Sequence, residues 1–362
     1  MADTATIPRP ISLNSLGRAG PIVSTHALGT MTFGAETDEA EAHRMLDLFA
    51  GRGGTLIDTA DVYSGGVSEE IIGRWGRARG GMADMIVATK CRFAPPAGSR
   101  GAARRSVLRC VEGSLSRLGT DAIDLYFVHG WDKDTDPVET LRALGDLVTA
   151  GKVHHVGWSN VTGWQLERIC ATARAEGLPV PVALQPQYSL LDRGVEWEVL
   201  PCALENGIGM TPWSPLGGGW LTGKYGAGAR PTGATRLGDD PERGLEAYDR
   251  RNTARTHTVL GAVRAVAARH GRPMSHVALA WLQARPGVAS LLLGARSAAQ
   301  LSANLDAAGL CLPPEDMDEL TRASAPGLPD YPYGFVQDWS GVSHWDRLGT
   351  GCAGSGGSAD PI

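Results

Sequence analysis

Apolar positions along the chain fall into two alternating patterns. Short β-branched or apolar runs recur between longer segments in which apolar residues return every three or four positions, as strands alternating with amphipathic helices do. The runs Ala27-Gly29, Thr55-Asp58, Met85-Lys90, Ile123-His129, His154-Ser159, Ala183-Gln187, Ile208-Trp213 and Ser290-Leu293 predict eight strands. Between them, Val107, Leu108, Val111, Leu115 and Leu118 share one helical face in 104–118, and Val138, Leu141, Leu144, Leu147 and Val148 do so in 138–148. Gly119, Gly151, Gly177, Gly207 and Gly271 each follow a helical segment, where a left-handed residue ends a helix. Repeated strand–helix units of this kind build an α/β fold around a parallel sheet.

Some segments break the rhythm. Residues 217–253, rich in Gly, Arg and Asp, are too long for a plain strand-to-helix loop and predict a functional cover. Ile11-Ser24 precedes the first unit and reads as a short hairpin placed to plug the bottom of a barrel. Residues 314–323 predict one extra helix, and the final GTGCAGSGGSADPI predicts disorder. No domain-sized linker interrupts 11–323, so residues 1–326 are expected to form a single domain and 327–362 a tail.

Polar groups gather at one end of the strands. Asp58 ends the second, Lys90 the third, His129 the fourth and Ser159-Asn160 the fifth; Gln185 lies in the sixth, Trp213 ends the seventh, and Gly294-Ala295-Arg296 follows the eighth. From Asp58 to Trp213 these positions lie roughly 31 residues apart on average, close to the per-unit length of a (β/α)8 barrel, the TIM barrel. In that fold the C-terminal strand ends converge on one mouth, so distant residues become neighbours. A carboxylate closing a buried strand needs a partner, because an unpaired buried charge is costly. Lys90 is the expected partner of Asp58. An ammonium beside Tyr63 is expected to pull the phenol below its usual value near 10, and His129 is placed to hydrogen-bond a substrate oxygen. Together these groups suit an oxyanion that must be protonated as it forms.

Composition narrows the alternatives. With 43% hydrophobic and 20% charged residues among 362, the chain can bury a full core. A net charge of −5 without a basic run argues against nucleic-acid or acidic-membrane partners. Six cysteines are scattered without a CxxC pair, and no apolar leader or membrane-length apolar stretch occurs, which predicts a cytoplasmic protein with reduced thiols. No GxSxG serine, HExxH motif or carboxylate cluster points to covalent hydrolysis or a metal. GGGWLTG at 217–223 has the wrong spacing and position for a dinucleotide-binding GxGxxG.

Seven motifs in order, DTADVYSGGVSEEIIG, VATK, DLYFVH, VGWSN, LQPQYSLLDR, TPWSPLGGGWLTGKY and LLGARSAAQLSANL, resemble the aldo-keto reductase family across roughly residues 12–323. The resemblance implies a (β/α)8 barrel that binds NADP(H) in extended form and moves a hydride onto a small-molecule carbonyl without a metal. It implies Tyr63 as proton donor, Asp58 and Lys90 as its tuning pair, and His129 as the residue orienting the substrate. Gly29, Thr30 and Met31 fall at the first strand end of the cofactor site. Ser159, Asn160 and Gln185 match positions that hold the nicotinamide carboxamide, and Trp213 matches the aromatic stacked on its ring. Ser214, Pro215, Leu216, Gly217, Lys224 and Arg236 match the loop over the pyrophosphate. Gly294, Arg296, Gln300 and Asn304 match the adenosine end, where Ser297 opens a helix and the neighbouring guanidinium favours a 2′-phosphate. Ala303 stands where relatives often carry Glu, which removes an adenine contact, and Trp158 replaces a smaller residue and fills the barrel wall.

Several residues carry plainer readings. Adjacent His154 and His155 point to opposite faces of a strand and read as structural. Cys91, next to Lys90, points away from the mouth as an inert buried thiol, and Arg104-Arg105 opens a solvated helix. Phe33, Arg92 and Trp131 are candidates for the substrate wall, and Tyr331, Tyr333, Trp339 and Trp345 pack either on the barrel flank or over its mouth. Two further functions compete with carbonyl reduction. One is a cofactor-sensing subunit like the potassium-channel β-subunits, which lack histidine at the position of His129. The other is reduction of a keto-sugar or an enoyl nucleotide sugar, for which Arg92, Arg193 or the tail would supply cationic donors. Oligomeric state is not readable from the pattern.

Overall fold

Ten strands and thirteen α-helices build the computed structural model among its described residues, 10–93, 101–228, 230–233, 235–242, 244–327 and 329–340. A two-stranded antiparallel hairpin comes first, β1 (Leu13–Ser15) paired with β2 (Ile22–Ser24). The barrel strands follow as β3 (His26–Gly29), β4 (Leu56–Asp58), β5 (Ile86–Cys91), β6 (Ile123–Val128), β7 (Val153–Ser159), β8 (Ala183–Gln185), β9 (Gly209–Met210) and β10 (Leu291–Gly294). All adjacent pairs are parallel in the order β10-β3-β4-β5-β6-β7-β8-β9. Closure comes from the Ala289 N–H donating to Met210 O at 2.9 Å and the Leu292 N–H to Pro212 O at 3.0 Å. The sheet is thus the barrel that the spacing of strand ends predicts.

The outer layer is helical: α1 (Glu39–Gly51), α2 (Val67–Ala78), α3 (Arg104–Leu118), α4 (Pro137–Thr149), α5 (Gly163–Ala175), α6 (Val199–Glu205), α7 (Arg236–Asp239), α8 (Tyr248–Arg251), α9 (Ala254–His270), α10 (Met274–Gln283), α11 (Ala298–Leu305), α12 (Pro314–Ala323) and α13 (Phe335–Ser340). Their starts are chemically marked. Asp38 caps α1, Asp136 caps α4 with Pro137 behind it, and Thr162 and Gln165 form a capping box on α5. The five glycines expected at helix ends all take left-handed φ. In α3, Val107, Val111, Leu115 and Leu118 are buried as their spacing requires, while Leu108 lies at the half-buried margin.

Period-two alternation decides which strand residues face the barrel interior. Ala27, Leu56, Ala88, Leu125, Phe127, Ala183 and Leu292 form the inner cluster, and Leu28, Ile57, Val87, Tyr126, Val128, Leu184, Leu291 and Leu293 pack outward against the helices. Continued one step along each strand, the same parity turns Asp58, Lys90 and Gln185 inward. The hairpin plugs the opposite end, since Leu16 and Val23 are fully buried within the inner cluster. Gly17 makes the seal possible: at φ +72, a Cβ there would stand 2.6 Å from both Gly207 O and Gly209 N.

The described residues of the long connection after β9 have their own small core. Trp220 is fully buried and stacks on Tyr248 at 5.4 Å. Helix α12 spans the predicted 314–323. Tyr333 packs on Trp197 at 5.8 Å and donates to Glu198 at 2.8 Å, which places this part of the tail at the loop entering α6. Tyr331 and Trp339 are exposed, and Trp345, Cys352 and the last fourteen residues lie outside the described residues.

Candidate active site

Lys90 is the centre of the site. It is fully buried on β5, and its three ammonium donors have three acceptors. They are Asp58 Oδ1 at 2.6 Å, Thr59 O at 2.7 Å and the Tyr63 hydroxyl at 3.4 Å. The second oxygen of Asp58 accepts from Gln185 Nε2 at 2.8 Å, so β8 also orients the carboxylate. Tyr63 reaches this point because the chain turns sharply after β4: Ser64 is left-handed at φ 49 and donates to Phe33 O at 2.8 Å. Burial works against the charge on Lys90, but Asp58 and Tyr63 more than offset it and hold the ammonium above its usual value. For Tyr63 burial dominates and raises the phenol above its ordinary value, with Lys90 opposing. This corrects the expectation of a lowered phenol, because the cost of burying a phenolate is not visible in the sequence.

His129 follows β6, its ring 6.0 Å from that of Tyr63 and edge-on to it. Burial first, then the charges of Lys90 and Arg92, push its imidazole down to about 3. The ring is therefore neutral near pH 7, with one N–H to donate, and its buried Nδ1 has no hydrogen-bond partner among the described residues. The structure thus brings Asp58, Tyr63, Lys90 and His129 together as expected.

The candidates for a cofactor line the adjoining strand ends. Asn160, left-handed at φ 52, donates to His129 O at 3.0 Å and accepts from Trp213 Nε1 at 3.0 Å, tying the indole to the rim. Two expected hydroxyl donors are engaged internally: Ser159 donates to Gln185 O at 2.7 Å and Thr30 to Asp58 O at 2.9 Å. Gly29 lies beside Asp58 in the sheet and Met31 is exposed at the rim. Ser214, left-handed at φ 55, opens a turn in which Gly217, Gly218 and Gly219 all have positive φ. Pro215 is buried and Leu216 half-buried there, and Lys224 is exposed with its ammonium over the Tyr225 ring. Arg236 has a buried Nε without a partner among the described residues. A hydroxyl, a guanidinium, a nearby ammonium and a left-handed glycine run make a donor set suited to phosphate oxygens, so the residues present fit a dinucleotide cofactor.

Sequence reasoning missed the acids in this region. Glu246, 3% exposed, accepts from Ser214 Oγ and pairs with Arg236 at 3.1 Å. Arg296 pairs with Asp239 at 2.6 Å and lies 3.9 Å from Glu36, and the Ala298 N–H at the start of α11 donates to Glu41. The helix start and guanidinium expected to welcome a 2′-phosphate are thus already matched by carboxylates. Gln300 accepts from the Arg296 N–H at 3.0 Å, Gly294 borders open space, and Asn304 is buried.

Among the substrate candidates, Trp131 is half-buried and meets Trp164 edge-on at 5.3 Å; Trp164, at the start of α5, was not anticipated. Two expectations are corrected. Phe33 is fully buried in the outer core and does not face the open mouth. Arg193 is 3% exposed and bound to Glu196, Thr321 O and Ser324, because it ties the end of α12 to the loop after β8. Trp158 fills the wall as expected, Cys91 is buried with its thiol pushed up, and His154 pairs with Asp124 at 3.4 Å. Among the described residues no group of three or more His, Cys, Asp or Glu is placed to hold a metal, and no helix is long and apolar enough to cross a membrane.

Comparison with known proteins gives the same assignment. The model of the aldo/keto reductase family matches residues 27–325. An uncharacterized oxidoreductase, YrpG, of Bacillus subtilis is 36% identical, covering 83% of this chain and 92% of its own. An aryl-alcohol dehydrogenase of Pestalotiopsis microspora is 32% identical over 88% of this chain and 82% of its own. A probable voltage-gated potassium channel β-subunit of Arabidopsis thaliana is 32% identical over 81% and 90%. A closed barrel whose mouth buries a lysine between an aspartate and a tyrosine, in a chain so matched, belongs to the aldo/keto reductase family.

Proposed function

We propose that this protein catalyses the NADPH-dependent reduction of an aldehyde or ketone to an alcohol, with Tyr63 as proton donor. The observation that carries the reading is the buried ammonium of Lys90, hydrogen-bonded at once to Asp58 and to the Tyr63 hydroxyl beside His129. The cofactor, when bound, supplies a hydride to the carbonyl carbon. Neutral His129 donates a hydrogen bond to the carbonyl oxygen and orients it. As negative charge develops on that oxygen, the Tyr63 hydroxyl gives up its proton to it, and solvent later restores the proton. A phenol that is fully protonated near neutrality suits this donating role. Lys90 stabilises the transient phenolate, and Asp58 keeps the ammonium charged and in place. Trp213, Asn160 and Gln185 position the nicotinamide end, while Ser214, Lys224 and Arg236 hold the pyrophosphate.

Arg296 favours the 2′-phosphorylated cofactor, but it must exchange Asp239 and Glu36 for the phosphate. Aromatic carbonyls are favoured as substrates by half-exposed Phe93 beside His129 and by the relative named for aryl alcohols. Keto-sugar or enoyl nucleotide-sugar substrates lose one proposed cation, Arg193, to the scaffold. The channel β-subunit relative supports a second reading, cofactor binding without turnover. NADPH and NADH oxidation followed with aryl aldehydes and keto-sugar nucleotides separates these readings. Faster turnover with NADPH on a carbonyl substrate supports the proposal; cofactor binding without turnover on any of them supports the second.

A further inference from the structure

Arg92 is the residue of the mouth that the chemistry above leaves without a task. It follows Lys90 by two positions at the end of β5, and its backbone sits at φ 111, a conformation that L side chains rarely adopt. Such strain persists where the surrounding structure imposes it, and it collects at ligand sites. The guanidinium lies 4.7 Å over the Phe93 ring, which itself lies 4.7 Å from His129. Its charge is felt at the imidazole, where it helps hold His129 neutral.

Among the described residues no carboxylate forms an ion pair with Arg92. Nη2 donates to a neutral acceptor, the carbonyl of Trp131, and Nε is buried with no partner. Asp132 is in its field, but the oxygens of Asp132 accept from the Ala102 N–H, the Asp134 N–H and the Thr135 hydroxyl. A buried donor left unmet is costly unless a partner completes it. The edge of the guanidinium that carries Nε is the planar fork that matches a carboxylate. Beside it stands half-exposed Phe93, an aromatic face between Arg92 and His129, while Trp131 packs against the outer core.

We propose that Arg92 is the specificity-determining residue of this site, selecting aryl aldehydes or ketones that carry a carboxylate. The inference rests on the reductase reading. The carboxylate meets Arg92 while the carbonyl lies between His129 and Tyr63, so the charge sets orientation as well as affinity. The test compares 3- and 4-carboxybenzaldehyde with their methyl esters in the full-length protein, in R92Q and in R92K. For the wild type, kcat/KM is expected to favour an acid over its ester. In R92Q the acid should lose ~10- to 100-fold, the range expected for a hydrogen bond to a charged group, and at least tenfold more than the ester loses. R92K should recover part of that loss. Equal losses on acid and ester, or a wild type that prefers the ester, overturn the assignment while leaving the reductase reading intact. No turnover of either compound by the wild type overturns the inference, and it removes the reductase reading as well only if keto-sugar nucleotides are not reduced either.

Discussion

Splitting the Lys90–Asp58 pair is expected to be among the most damaging changes this barrel can suffer. Lys90 is fully buried and Asp58 is 2% exposed, so neither charge has water to fall back on. Asp58→Asn leaves the ammonium with two neutral acceptors, Thr59 O and the Tyr63 hydroxyl, and turns an amide donor toward Gln185 Nε2. Lys90→Met leaves the carboxylate with only the Gln185 amide of the two partners described. Removing one member of such a pair costs about 3–5 kcal/mol, a large share of the ~5–15 kcal/mol that holds a typical fold together. The double variant D58N/K90M removes both charges, so its loss should fall well below the sum of the single losses, with a coupling of about 2 kcal/mol or more. Urea unfolding at constant m-value measures all four proteins. Single losses under ~1 kcal/mol, or losses that simply add, would refute the claim that the two charges depend on each other.

Three further outcomes follow from the structure. Because Glu246 occupies the Ser214 and Arg236 donors proposed for the pyrophosphate, E246Q should tighten NADPH binding by roughly 5- to 10-fold in fluorescence titration, the scale of one screened like charge; unchanged affinity contradicts that placement. Burial pushes His26 from the ordinary 6.5 to about 4, so the folded state binds fewer protons than the unfolded state between those values. Stability should therefore fall as pH drops from 6.5 to 4, by about 3 kcal/mol from this residue, and H26Q should flatten that part of the pH–stability curve relative to wild type. Gly17→Ala forces a Cβ onto the backbone of Gly207 and Gly209 and should cost about 2 kcal/mol or more by unfolding, whereas a neutral result would show that the hairpin does not seal the barrel tightly.

What could be read from the sequence was local. Strand alternation and the regular return of polar strand ends place Asp58, Lys90, His129 and Gln185 at one mouth, because parity and spacing are properties of the chain itself. The seventh strand is shorter than its apolar run, Gly209–Met210 rather than 208–213, because Pro212 has no N–H for the ladder and Trp213 makes only an isolated bridge to Gln187. What escaped depends on contacts between remote segments. The burial that raises Tyr63, the carboxylates Glu36, Asp239 and Glu246 around the cationic cofactor candidates, and the capture of Arg193 by α12 all arise from tertiary packing. Phe33 was misplaced for the same reason: its position just beyond a strand end is right, but the turn held by Ser64 folds it into the outer core.

The most direct trial of the central claim is single-turnover kinetics of Tyr63→Phe with bound NADPH and an aryl aldehyde. The ring that fills the site is kept and the hydroxyl beside Lys90 is lost. The rate of carbonyl reduction should fall by ~10²- to 10⁴-fold while NADPH affinity stays within about threefold of wild type. Reduction within about tenfold of the wild-type rate would contradict Tyr63 as the proton donor.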